Sequence, residues 1–230
     1  MLDKFIARLS YKHPNWGISN LMYYISGGML ILYMCEYFYN TPLAAVPAWF
    51  AFDRALILQG QVWRIFTFIF MPESSSMLIL FAISLYFYIF IAGSLENQWG
   101  KLRFNVYYLL GIVGCLIAGF VTGYTTNEFI NLSLFLAFAA LFPEFEVRLF
   151  FFIPIKIKVL AYIDLAIYGL SAVVSIIQSD WSTLLCIVLS LLNLLLFFGG
   201  DYIKRIRNYF KNRSRKAKFE RDMNRMNNPF

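Results

Sequence analysis

The sequence predicts an all-α polytopic membrane protein of six transmembrane helices, and three features carry that prediction. The chain of 230 residues is 60% hydrophobic and only 14% charged, whereas a soluble domain carries about 25% charged residues. Its apolar residues are concentrated in long runs, and about 20 such residues are enough to cross the hydrocarbon core of a bilayer. Its basic residues are divided unequally between alternate loops. Together these features exclude an ordinary soluble domain.

Apolar runs follow one another along the chain, at residues 21–39, 77–95, 104–122, 129–142, 159–177 and 181–198. The fourth run is short, so we expect it to take a thin or protein-buried path or to belong to a bent element. The first run ends in charged and aromatic residues rather than small ones, which indicates a retained helix and not a cleaved signal peptide. We therefore expect a six-helix membrane domain over residues 1–200 and a basic tail over residues 201–230.

Lysine and arginine residues predict the orientation of the chain. With six crossings, both termini lie on one side of the membrane. Three basic residues precede the first run on that side, two and three lie in its two loops, and ten lie in the tail. Only Arg54 and Arg64 remain for the other side, a split of 18 against two. Because short cytoplasmic loops collect basic residues, both termini are expected in the cytoplasm. The composition fits a bacterial inner membrane.

The basic tail also predicts partners. Clustered Lys and Arg beside a membrane attract anionic lipid headgroups, and Ile203, Ile206 and Phe210 form an apolar stripe among them. We expect membrane lipids as partners, with anionic lipid at the tail and no specific nucleic acid. The sequence indicates no cofactor and no metal ion.

The first external loop, residues 40–76, is long and rich in aromatic residues. Aromatic side chains at that density are typical of the membrane interface, so we expect the loop to lie half-buried against the helices. Arg64 within it is expected to be held by backbone carbonyls or a carboxylate, because an unpaired guanidinium at a membrane is costly. Trp63 is expected to anchor the loop at the interface.

Two loop motifs carry a resemblance to a known family. Residues 60–70 read GQVWRIFTFIF, with Trp63 before Arg64, and residues 93–104 read GSLENQWGKLRF, with Glu96, Trp99, Gly100 and Arg103. The first resembles the Trp-Arg element in the first loop of rhomboid proteins, and the second resembles the family's signature after its second core helix. The resemblance implies a six-helix rhomboid-like bundle. It also implies that Glu96 accepts hydrogen bonds from backbone amides at the third helix region.

Active rhomboids are serine proteases, so the resemblance raises the question of catalysis. Their mechanism needs a serine in a Gly-x-Ser-Gly setting on the fourth helix and a histidine base on the sixth. The one histidine, His13, precedes the first run, and Asn193 is the strongly polar interior residue of the sixth. Ser133 in the fourth run lacks flanking glycines, and we expect its hydroxyl to bond a carbonyl of its own helix. The residues indicate no catalytic site.

Small residues recur every fourth position in the third run, at Gly111, Cys115, Gly119 and Gly123. Because small residues let helix backbones approach closely, we expect them to seat this helix in the bundle, with a dimer face as the alternative. The sixth run is rich in leucine, so no close approach to the fourth helix is expected there. The three cysteines lie inside apolar runs, which favours buried thiols over a disulfide framework.

Asp164 is an ionisable residue inside the fifth run, and such a residue is a functional-site hypothesis by default. We favour the alternative, a pairing with Lys156, Lys158 or Arg148 at the interface.

The sequence as a whole predicts a rhomboid pseudoprotease, a non-enzymatic membrane protein that binds or routes transmembrane client proteins, as inactive rhomboids such as derlins do. One alternative is an active rhomboid-type intramembrane serine protease with an unrecognised base. A transporter or channel is a second alternative, which the scarcity of charge and of broken helices disfavours.

Overall fold

The computed structural model describes residues 8, 12, 16–38, 49–72, 78–149, 153–181 and 183–197. The main helices are α1 (Leu21–Phe38), α2 (Arg54–Leu58), α3 (Arg64–Thr67), α4 (Leu78–Trp99), α5 (Lys101–Thr122), α6 (Glu128–Leu141), α7 (Ile157–Ile177) and α8 (Thr183–Phe197). A 3-10 turn, Phe68–Phe70, follows α3. Strands β1 (Glu146–Leu149) and β2 (Ile153–Lys156) form an antiparallel hairpin between α6 and α7. His13 and the tail, residues 201–230, lie outside the described residues.

Three helices, α4, α5 and α7, are long and apolar enough to cross a membrane. Their 22, 22 and 21 residues correspond to about 33, 33 and 31 Å at the rise of an α-helix. The described apolar parts of α1, α6 and α8 are shorter. The chain is therefore a mostly helical membrane protein, in which three of the six predicted helices have the length that a crossing requires.

The short helix α6 lies at the centre of the bundle. It packs against α4, α5 and α7, and nine of its 14 residues are buried. A helix that is apolar all round is stable only when other helices or lipid surround it, and here the protein supplies most of that cover. At about 21 Å, α6 is too short to cross the hydrocarbon core without other chain segments at its ends.

The loop region of residues 49–72 covers one end of the bundle, called here the Asp53 end. Phe52 and Phe68 are fully buried while Trp49 and Phe66 are exposed, so the aromatic residues divide between the core and the surface. The Phe52 ring lies edge-on to Phe120 of α5, with centroids 5.4 Å apart. Such edge-to-face pairs add to the free energy gained from burial, and they fasten the loop to α5.

Arg64 is the buried cation of this loop, with 4% of its surface exposed. Its guanidinium donates to the carbonyl of Ala51 at 2.7 Å and to the side-chain oxygen of Gln61 at 2.8 Å. The neighbouring Trp63 is partly exposed and donates from its ring nitrogen to the carbonyl of Trp49 at 3.1 Å. Both side chains thus bind backbone carbonyls that no regular secondary structure satisfies.

The opposite end, called the Trp99 end, joins α4 to α5 through Gly100 alone. The second sequence motif therefore lies mostly on helix ends and not in a loop. Glu96 accepts from the backbone N–H of Asn20 with both oxygens at 3.0 Å, so the amide that it binds leads into α1 and not the third helix region. Asn105 exchanges two hydrogen bonds, of 3.0 and 2.9 Å, with the backbone of Ile18. These contacts attach the segment before α1 to the start of α5.

Lysines near the hairpin are paired with Glu144. Lys156 donates to one carboxylate oxygen at 2.7 Å and Lys158 binds the other. The hydrogen bonds from Lys156 and Lys158 lower the pKa of Glu144 to about 2. The expected pairing of Asp164 with these lysines is therefore wrong, because their ammonium groups bind a carboxylate on the hairpin side. The side chain of Arg148 lies outside the described residues.

We expect Arg64→Ala to lower the thermal unfolding midpoint in detergent more than Arg54→Ala does. Arg54 also binds carbonyls, those of Phe120 and Val121, but from an exposed position. A hydrogen bond to a charged group contributes about 1.5–3 kcal/mol, and loss of Arg64 leaves the half-buried carbonyl of Ala51 without this donor. Intrinsic fluorescence during heating gives both midpoints. Equal midpoints would show that the hydrogen bonds of buried Arg64 stabilise the fold no more than those of exposed Arg54.

Candidate functional site

Residues singled out from the sequence occupy four places in the structure. Trp63 and Arg64 lie at the Asp53 end, and Glu96, Trp99, Gly100 and Arg103 lie at the Trp99 end. Ser133 and Asn193 meet in the interior. Asp164 lines a groove on the side of the bundle.

A hydroxyl cluster, formed by Tyr107, Ser133 and Asn193, joins α5, α6 and α8. The Tyr107 hydroxyl hydrogen-bonds the Ser133 hydroxyl and donates to the Ser133 carbonyl at 2.8 Å. The Asn193 amide nitrogen donates to the Ser133 hydroxyl at 3.3 Å and to the Tyr107 carbonyl at 3.4 Å. The expected bond of Ser133 within its own helix is therefore wrong, because neighbouring helices use this hydroxyl.

Helix α8 also approaches α6 closely, contrary to the expectation from its leucine content. Ser190 donates from its hydroxyl to the Phe129 carbonyl at 2.7 Å. Ser190 and Asn193 are three residues apart and so share one helix face. Hydrogen bonds between helices stabilise association inside a membrane, so Ser190 and Asn193 hold α8 against α6 despite its leucine content.

The chemistry of the hydroxyl cluster is limited by its members and its burial. A serine hydroxyl needs a neighbouring base to become a nucleophile, and an amide such as that of Asn193 does not take up a proton near neutral pH. Ser133 is 1% exposed, which leaves no space beside it for a substrate. Within the described residues, the cluster is suited to holding three helices together.

The Trp99 end packs directly against this cluster. The Trp99 ring lies 5.3 Å from that of Tyr107 and is stacked on Phe197 of α8 at 6.1 Å. The Arg103 guanidinium lies 5.7 Å from the Trp99 ring centroid, a cation–π contact. Gly100 has a φ of 83°, which glycine adopts readily and other residues rarely do. The second motif thus supports the helices that carry the cluster.

Small residues of α5 receive side chains from its neighbours. A Cβ at Gly111 would lie 3.3 Å from the Asn193 amide nitrogen, and one at Gly119 would overlap the Phe52 ring. Cys115 between them is buried, and Gly123 ends the helix with a φ of 103°. Gly111 and Gly119 are therefore covered by this chain itself.

Cysteine thiols and metal ligands do not form a site in the described part of the chain. Cys115 and Cys186 are buried free thiols and Cys35 is a half-buried one. No group of three or more His, Cys, Asp or Glu among the described residues is placed to hold a metal ion.

A groove with a volume of about 320 Å³ opens between α4 and α7. Both helices pack on α6, which forms its floor. The groove is lined by Phe87, Tyr88, Ile91, Glu128, Asn131, Leu132, Phe135, Leu160, Ile163, Asp164 and Tyr168. Several of these lie three or four residues apart on their helices and therefore on one face.

Polar groups in the groove come from α6 and α7. Asp164 is half-buried, and Tyr168, one turn later, donates to a carboxylate oxygen of Glu128 at 2.9 Å. Asn131 is 7% exposed, and its side-chain oxygen has no hydrogen-bond partner among the described residues. Neither Glu128 nor Asn131 was singled out from the sequence. Glu128 lies at the edge of its apolar run and resembles an interface residue.

The carboxylates of Asp164 and Glu128 lie beside the middle part of α7. Tyr168 is the twelfth of its 21 residues and Asp164 the eighth, so they are about 17 and 11 Å from the start of the helix. The hydrogen bond from Tyr168 places Glu128 beside the middle of a helix of spanning length. Both carboxylates therefore lie beside the middle part of a helix that is long and apolar enough to cross a membrane.

A second cavity, of about 230 Å³, lies toward the Asp53 end between the start of α6 and helices α7 and α8. Glu128 and Tyr168 line both cavities. The hydrogen bond between them consequently forms a partition between the groove and the second cavity, whose other polar residues include Thr125 and Thr183.

We expect Ser133→Ala and Asn193→Leu to be energetically coupled, because each removes one partner of the same hydrogen bond. Coupling between hydrogen-bonded residues in membrane helices is about 0.6 kcal/mol on average and reaches about 1.7. Unfolding free energies of the two single variants and the double variant in detergent give the coupling. Ser190→Ala is the matched control: it binds a backbone carbonyl elsewhere on α6, so its effect should add to that of Ser133→Ala.

Comparison with known proteins adds no relative: no protein-family model matches the chain, and no curated protein matches it. The hydroxyl cluster and the groove are therefore the observations from which a function is inferred.

Proposed function

We propose that the chain is a rhomboid-like membrane protein without protease activity, which binds or routes transmembrane segments of client proteins. The groove between α4 and α7 carries this proposal, because it brings polar groups to the lipid-facing side of the bundle. An intramembrane polar residue that faces a cavity is typical of a binding or transport path.

Helix α7 stands at the edge of the bundle. Only 11% of the 18-residue apolar stretch of α7 is buried inside the protein, against 44% for α5, so one side of α7 faces lipid. A client helix has a diameter of about 10–12 Å, and the groove volume of about 320 Å³ is too small to contain one. A client would lie along α4 and α7 and insert a few side chains.

The sequence motifs and the charge distribution support the rest of the proposal. The elements around Trp63 and Trp99 resemble those of rhomboids, whose inactive members handle transmembrane clients without cutting them. In the proposed arrangement α1, α6 and α8 complete a bundle of six crossings, with α6 on a protein-buried path. The split of 18 basic residues against two supports the proposal that both termini lie in the cytoplasm, and we propose a bacterial inner membrane as the location.

Absence of protease activity is proposed from the hydroxyl cluster. The residue nearest to the Ser133 hydroxyl on α8 is Asn193, and an amide does not replace a general base. The closest lysines in sequence, Lys156 and Lys158, bind Glu144. The fully buried Tyr107 side chain closes the remaining side.

Topology is the first test of the six-crossing arrangement. Reporter fusions after Phe230 should be active only in the cytoplasm, and fusions beside Asp53 only outside, because of the split of basic residues. An external terminus after Phe230 would overturn the arrangement.

Client binding is tested by cross-linking from two positions on α7. A photoreactive residue at Ile163, which lines the groove and is 50% exposed, should capture a co-expressed single-span protein. Leu165 is the matched control: it is 41% exposed, at nearly the same depth, and about 200° around the helix. Equal capture from both positions would show that the contact is only lateral diffusion in the membrane.

Cleavage is tested in the same reconstitution. Loss of a general base removes about 10²–10⁴-fold in rate, so we expect no product from wild type or from Ser133→Ala. A product that forms with wild type and disappears with Ser133→Ala would favour the protease alternative.

A further inference from the structure

We propose that the groove recognises its client through a lysine or arginine inside the client's transmembrane segment, whose cationic group binds between Asp164 and Glu128. This inference rests on the proposed function and adds the chemistry of the partner. It is drawn from the charge, the hydrogen-bonding groups and the depth of the groove.

Charge is the first argument. The described residues that line the groove include Asp164 and Glu128 but no lysine, arginine or histidine. Among the described residues Asp164 takes part in no salt bridge, and the lysines preceding it in the chain bind Glu144. Two carboxylates in one membrane cavity lose solvation and repel each other. A cation supplied by a partner removes both penalties.

An unpaired acceptor is the second, independent argument. The Asn131 side chain is 93% buried, as its exposed fraction is 7%, and its oxygen has no partner among the described residues. A buried acceptor without a donor is costly. Lysine and arginine carry donors only, three and five respectively, so they suit a site rich in acceptors. The Tyr168 hydroxyl donates to one carboxylate oxygen of Glu128.

Depth is the third argument. The two carboxylates lie beside residues about 11 and 17 Å along α7, which corresponds to a third to a half of the helix. A lysine at that depth of a client helix is costly in lipid. Such a client gains more from the groove than an entirely apolar segment does, and this difference is the basis of selection.

Apolar walls complete the site. Ile91 of α4 and Phe135 of α6 line the groove together with Leu132. The methylene stem of a lysine or arginine packs favourably on such surfaces while its charged end binds polar groups. A groove of about 320 Å³ holds one long side chain of this kind.

The test uses the full chain in lipid nanodiscs and three synthetic transmembrane peptides. They are identical leucine-rich helices with Lys, Leu or Glu at the central position, and capture from the photoreactive residue at Ile163 measures binding. We expect the Lys peptide to bind about tenfold or more tightly than the Leu peptide, as a charge-assisted hydrogen bond provides. The Glu peptide should bind no better than the Leu peptide. Moving the Lys by two turns should remove the preference.

Isosteric variants test whether Asp164 and Glu128 cause the preference for the Lys peptide. Asp164→Asn combined with Glu128→Gln should abolish the preference for the Lys peptide over the Leu and Glu peptides. Asp164→Lys should reverse the preference toward the Glu peptide, a gain that a merely unfolded variant does not show. Glu144→Gln, which alters a carboxylate at the Trp99 end, is the matched control and should keep the preference for Lys.

The outcomes separate the two proposals. If no peptide is captured, both the proposed function and this inference are wrong. If the Leu peptide binds as tightly as the Lys peptide, client binding stands and the inference is wrong. If the preference for Lys survives in the variant with Asp164→Asn and Glu128→Gln, the cation binds elsewhere and the inference is overturned.

Discussion

The hydrogen bonds between Tyr107 and Ser133 fix the axial position of α6 relative to α5, which is called here the height of α6. Most of the described structure depends on that height. Tyr107 is the seventh residue of α5, so Ser133 lies near the Trp99 end. With only 14 residues, α6 therefore begins well below the opposite surface. The backbone at that depth has no water to bond, and the protein must satisfy it. Asn127 does so by donating to the carbonyls of Ile69 and Met71 at 2.9 and 2.8 Å.

Two consequences of this height lie on opposite sides of α6. Toward α5 and α8 the Ser133 hydroxyl binds Tyr107 and Asn193, and the Phe129 carbonyl accepts from Ser190. Toward α4 and α7 its first turn carries Glu128 and Asn131 into the groove. Paired buried groups hold helices together, whereas an unpaired acceptor such as the Asn131 side-chain oxygen raises the free energy of the empty site. The second side is therefore where a partner has most to contribute.

The sequence motifs stabilise this arrangement from both ends. At the Trp99 end the rings of Trp99 and Phe197 enclose Tyr107, which keeps its hydroxyl directed at Ser133. At the Asp53 end Phe52 fills the space that Gly119 leaves on α5. The first motif includes hydrogen bonds from Trp63 and Arg64 to loop carbonyls, whereas in the second motif Glu96 accepts a hydrogen bond from the backbone N–H of Asn20. The residues of both motifs thus have a structural role, and the Ser133 hydroxyl serves as a contact between helices.

The sequence by itself determined which segments become helices, because the tendency to enter a membrane depends on local composition. Predicted runs such as 104–122 and 159–177 agree with α5 and α7 within a few residues, and the isolated Arg64 had to find acceptors. Tertiary structure alone decided which polar residues meet. Ser133 and Asn193 are 60 residues apart, Asn105 and Ile18 are 87 apart, and Asp164 shares a groove with Glu128. Such meetings depend on the relative height and rotation of the helices, which hydrogen bonds across the bundle set and hydropathy does not record.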